Sequence, residues 1–187
     1  MKTKLLFIVG LVSIFLFSTT CKASDEVFFA TEYFKTLYTY EIIAVSHAQD
    51  FNEVKTNQDL IDFYESELVL ITSTRDKLTT LTPPDKYNNT YATIIKGLEY
   101  QHNYLKAMIS AIQKGLSFDQ AFMLNNGNFF KAQKNVKSGI EELQIILNNY
   151  DESIQEQILS STGLTEQQLI QDAFESNYIQ NIQESIK

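Results

Sequence analysis

PPDKYNNTYATIIKGLEYQHNYLKAMISAIQKG, residues 83–115, opens on a double proline and closes on a glycine. Between them Tyr91, Ile95, Leu98, His102, Leu105 and Ile109 recur at alternating spacings of four and three. That rhythm keeps all six on one side of a helix with 3.6 residues per turn. It predicts a helix from Asp85 to about Lys114. Prolines tolerated only at its start and Gly115 just past its end give the usual boundary asymmetry.

The same rhythm extends in both directions. Upstream, Phe29, Tyr33, Leu37, Tyr40, Ala44, His47 and Phe51 define a helix over residues 25–55, with Phe34, Tyr38 and Val45 widening its apolar face. Thr56 or Asn57 can cap a second helix to about Leu81, with Ile61, Tyr64, Leu68, Ile71 and Leu78 inward. Downstream, Ser117-Phe118-Asp119-Gln120 matches a capping box and predicts a short helix to Leu124. Asn125-Asn126-Gly127-Asn128 then reads as a turn. Residues 129–150 form the next long helix, with Ala132, Val136, Ile140, Leu143, Leu147 and Tyr150 inward. A shorter segment spans Glu152–Ser160, and Gly163 stops it. Thr165-Glu166-Gln167-Gln168 is a second capping box, opening a last helix to about Ser185. The expected fold is all-α, an antiparallel bundle of four long helices plus one or two short helices.

Composition agrees. Six Gly and two Pro among 187 residues are too few for the corners of a sandwich or barrel. One Cys excludes an internal disulfide framework and a Cys-based zinc site, and two His exclude a three-His zinc site.

Lys2 and Lys4 precede an apolar run, Leu5–Phe17, and small and polar residues follow up to Ala23. A membrane-spanning helix needs ~20 apolar residues. The order therefore reads as a secretory signal over residues 1–23, ahead of a single helical-bundle domain at 24–187. Export, secreted or periplasmic, is the expectation. A lipid anchor through Cys21 is the less favoured alternative, because Ser18 and Thr20 depart from the bacterial lipobox. No integral membrane span is expected in residues 24–187.

The chain carries a formal net charge of −8. This sign disfavours nucleic acid, whose phosphates need a basic footprint. The charge is uneven. Residues 86–137 hold seven Lys against Glu99 and Asp119, whereas the acidic residues predominate on either side.

Three candidate sites emerge. Glu99 and His102 have the Glu-x-x-His spacing of a di-metal half-site, and His47 lies inward on the first helix. A full site needs two further inward carboxylates, and no Glu is read on the apolar stripes of the second or fourth helix. Core histidines satisfied by tyrosine hydroxyls are the plainer account. Aromatic pairs such as Phe28-Phe29, Tyr33-Phe34 and Phe129-Phe130 are expected mainly in the core. Lys131, Lys134 and Lys137 point away from the apolar face of their helix. A solvated surface is the ordinary role for such a row. In this basic segment it also offers a local anion site, for instance for a phosphoinositide head group, with Phe129 and Phe130 adding apolar contact.

With its Lys2/Lys4 start, Leu5–Phe17 run and helical, Asn/Gln/Lys-rich remainder, the chain resembles small all-helical proteins exported through the type II secretion pathway of Legionella-like bacteria. The resemblance implies a protein acting outside the cell or, as an effector, inside a host, and brings no site residues with it. The functional expectation is an exported, non-catalytic binding protein without a cofactor, acting through its surface on a protein or an anionic lipid surface. The alternatives are a metal-binding or metal-dependent bundle using Glu99, His102 and His47, and an inhibitor of a secreted enzyme.

Overall fold

The computed structural model describes residues 25–40, 42–44, 46–47 and 51–162. The signal-like stretch, Cys21 and the expected helix beginning near Thr165 lie outside the described residues. Among those described, every regular element is helical. Helix α1 is helical at 25–40, 42–44 and 46–47, and a single 3-10 turn follows at Phe51–Glu53. Then come α2 (Asn57–Thr79), a 3-10 turn at Asp85–Tyr87, α3 (Asn88–Gln113), α4 (Phe118–Asn148) and the short α5 (Glu152–Thr162).

The expected starts and stops are built from side chains. Thr56 Oγ1 accepts from the Asp59 backbone N–H at 3.1 Å. The Asp59 carboxylate returns the bond to the N–H groups of Lys55 and Thr56. These donors hold the Asp59 carboxyl below the usual carboxylate range, the Lys55 N–H first. Ser117 and Gln120 form the same reciprocal box at the head of α4. Gly115 closes α3 with φ +88°, a backbone state that side-chain-bearing residues rarely adopt.

Contacts between elements give their directions. Phe29 meets Tyr87 and Tyr91, and Tyr40 donates to Gln101, so α1 runs parallel to α3. Tyr91 donates to the Leu78 carbonyl and Tyr64 meets Tyr104, so α2 runs antiparallel to α3. Thr90 donates to the Gly139 carbonyl at 2.5 Å and Tyr104 meets Phe129, so α4 is antiparallel too. Helix α3 is the shared neighbour, and its buried residues include Ile94, Leu98, Leu105, Met108 and Ile112.

Two expectations are corrected. The Asn125–Asn128 segment is not a turn: α4 continues through it as one helix of 31 residues, ~46 Å long. Phe122 before the segment and Phe129 after it both pack on Tyr104 and on each other. This shared anchor overrides the turn preference of Asn and Gly. Asn125 also donates its side-chain amide to the Ala121 carbonyl, four residues back in the same helix. The second correction concerns α2, where Glu67 lies on the inward stripe and is 2% exposed. The stripe itself is rotated slightly from expectation. Leu60, Phe63 and Leu70 are buried, while Ile61 and Leu68 sit half-buried at its edge.

Candidate functional site

The continuity of α4 decides what its outer face presents. At ~100° per residue, Met123, Gly127, Phe130 and Lys134 fall within about 60° of one another. Leu124 and Lys131 flank this line on one side and Lys137 on the other. The buried residues Ala121, Ala132, Gly139, Leu143 and Leu147 occupy the opposite side. Met123 is 74% exposed, Leu124 72% and Phe130 55%. Lys131, Lys134 and Lys137 are exposed as well. Residues 120–140 contain no Asp or Glu, so this strip carries cations without local compensation along most of its length.

Each lysine has a different setting. The Lys131 ammonium lies 5.5 Å from the centroid of the Tyr100 ring on α3, within cation–π range. Lys137 faces Glu141 one turn on at 4.0 Å, where the acid-free stretch ends. Lys134 stands between them on the outer line. Phe129 does not join this face. Its ring sits 5.2 Å from Tyr104 and 5.7 Å from Phe122, packed against the core. The exposed apolar contact comes instead from Phe130, together with Met123 and Leu124. Sequence reasoning missed the last two because it placed a chain reversal immediately after them.

The metal candidates occupy separate surroundings. His47 Nδ1 is hydrogen-bonded to Glu67 Oε1 at 2.7 Å, joining α1 to α2. Burial pushes the Glu67 carboxyl above the usual carboxylate range, and the hydrogen bond and charge of His47 pull it back only in part. His102 Nδ1 lies 3.2 Å from Thr72 Oγ1. The Thr72 hydroxyl gives its one proton to the Leu68 carbonyl, so the imidazole N–H is the donor in this pair. Burial lowers the His102 pKa, and Lys106 and Arg75 add to the effect. Glu99 is exposed. Among the described residues, no group of three or more His, Cys, Asp or Glu side chains is placed to hold a metal.

A third polar group ties the ends of three elements together. Lys86 donates to Glu26 at 2.6 Å, and its ammonium sits 3.9 Å from the centroid of the Tyr150 ring. Burial works against the Lys86 charge, but the hydrogen bonds to Glu26 and Tyr150 outweigh it and raise its pKa. The Tyr87 and Tyr150 hydroxyls share a hydrogen bond of 2.9 Å beside it.

No protein family matches the chain, and no curated protein or solved structure matches it. Among the described residues, no helix is long and apolar enough to cross a membrane.

Proposed function

We propose that the chain is an exported, non-catalytic binding protein that engages an anionic lipid head-group surface through the outer face of α4. The observation that carries this reading is the row Lys131, Lys134 and Lys137, exposed on a stretch free of acid. Three ammonium groups over about two turns can approach one phosphate-rich surface, and each contributes ~1 kcal/mol near an anionic bilayer. The Lys2/Lys4 start and the Leu5–Phe17 run support export.

The strongly acidic remainder sets the conditions. Repulsion from these acids opposes approach, and salt screens both terms over a Debye length of about 10 Å at 0.1 M. Binding is therefore expected to be steeply salt-dependent. The test is co-sedimentation with phosphatidylcholine vesicles, with and without a phosphoinositide. The expected result is binding to the anionic vesicles alone, lost in the Lys131→Glu, Lys134→Glu, Lys137→Glu variant. Equal sedimentation by that variant, with an unchanged helical spectrum, would remove the lysines and this reading with them.

A further inference from the structure

The lysine row is half of what α4 turns outward. Met123, Leu124 and Phe130 lie on the same outer face and toward the N-terminal end of the same unbroken helix. The apolar group occupies ~10 Å of helix axis, from residue 123 to 130, and the lysines the next ~9 Å, from 131 to 137. Elsewhere among the described residues the large exposed apolar side chains are scattered: Phe28 and Ile42 on α1, Val69 on α2 and Ile145 beyond the acidic Glu141 and Glu142. Scattered residues of this kind need no partner. Three together, with three cations on one side and no acid between Asp119, one turn before Met123, and Glu141, one turn after Lys137, mark a contact surface.

We infer that α4 is a membrane-interface helix, in which Met123, Leu124 and Phe130 enter the head-group boundary of an anionic bilayer while Lys131, Lys134 and Lys137 hold its phosphates. The inference rests on the anionic-surface reading and adds the depth and orientation of binding. Charge complementarity selects the occupant. A soluble phosphate would satisfy the lysines but leave the apolar group in water, whereas an anionic bilayer supplies both environments within a few ångströms. Because the two chemistries are separated along the axis, the helix would lie tilted with Met123 below the lysines, only as deep as keeps the exposed Asp119, one turn before it, in water. Its other side stays packed on α3, so insertion requires no unfolding of the bundle. The cation–π contact keeps Lys131 beside Tyr100 before any lipid arrives.

The chain contains no Trp, so Met123→Trp introduces a single tryptophan, excited apart from the ten tyrosines at the red edge of its absorption, at the proposed deepest point. The Val69→Trp variant places the same probe on the exposed surface of α2. With vesicles containing phosphatidylserine or a phosphoinositide, emission from the Met123→Trp variant is expected to shift to the blue and be quenched by brominated acyl chains. Neutral phosphatidylcholine vesicles should leave it unchanged, and Val69→Trp should respond to neither. A second variant, Met123→Ser, Leu124→Ser, Phe130→Ser, keeps every lysine and should lower vesicle affinity about tenfold or more while retaining the salt dependence. Sedimentation with anionic vesicles while the Met123→Trp fluorophore stays in water overturns insertion and leaves the head-group reading standing. Absence of sedimentation overturns both. A blue shift that grows with protein concentration in the absence of vesicles assigns the face to a second copy of the chain and overturns the inference.

Discussion

Helix α3 is packed on two sides by different chemistry. Toward α4 the closest approach is made at backbone and small residues, with Tyr104 packed on Phe122 and Phe129 farther along. A Cβ on Gly97 would stand 2.7 Å from Val136 Cγ2 and 3.0 Å from the Val136 nitrogen, and one on Gly139 would run into Ile94. Toward α1 and α2 aromatic packing is interleaved with polar pairs. There Tyr40 meets Gln101, His102 meets Thr72, and His47 reaches Glu67 across α1 and α2. On the same side the hydroxyls of Tyr33 and Thr36 are buried with no hydrogen-bond partner among the described residues. Burial drives the Tyr33 phenol far above its ordinary range, with Tyr91 adding to it. One side depends on shape, which solution conditions barely alter. The other holds groups whose protonation is coupled to their burial.

Filling the shape-dependent side should do the most damage. Gly139→Val and Gly97→Val are each expected to destabilise the protein by about 3 kcal/mol, because the obstacle includes backbone or a buried side chain. Urea unfolding midpoints measure this, and values near the wild type would show that the helices can part freely.

The polar side should reveal itself through pH. In the fold the Glu67 carboxyl titrates above its unfolded value, so the native state holds its proton over a range where the unfolded chain has lost it. Its stabilising contribution is complete below about pH 4.3, the ordinary glutamate value, and is lost as pH rises through the raised one. Glu67→Gln keeps the shape and removes this titration. Thermal melts from about pH 4 to about pH 7 should show the wild type losing stability relative to the variant as pH rises. Parallel curves would move Glu67 out of the contrast.

The smallest effect concerns a glycine belonging to neither side. Among the described residues, nothing lies within 4 Å of a Cβ built on Gly127. Gly127→Ala is expected to stabilise by about 0.5–1 kcal/mol, since Ala suits a helix interior and restricts the unfolded chain. A loss of stability would restore a reversal at this position and separate Met123 from the lysines.

Helices, caps and most of the core were legible because each rests on local spacing. The cap at Thr56, the capping box at Ser117 and the stop at Gly115 need only a few neighbours to operate. Asn125–Asn128 misled because its local preference is opposed by Tyr104, some twenty residues earlier in the chain and touching both Phe122 and Phe129. Glu67 could have been found. Leu60, Tyr64, Glu67, Ile71, Thr74 and Leu78 step by four and three, and only the charge of one member argued against placing it inward. The pairing of Gly97 and Gly139 with the opposite helix depends on register, which no single segment encodes. Of the candidate face, the outward lysines were readable from spacing, whereas Met123 and Leu124 joined them only once α4 proved continuous.

The link between α3 and α4, residues 114–117, also bears on how quickly the molecule assembles. With Gly115 already favouring the reversal, these two long helices can close from that end, each step bringing residues little farther apart in the chain than the last. Gly97 and Gly139 meet their partners only late in such zippering. The search for these close contacts is thereby shortened by others that are easy to find, the circumstance in which helical proteins fold within microseconds to milliseconds.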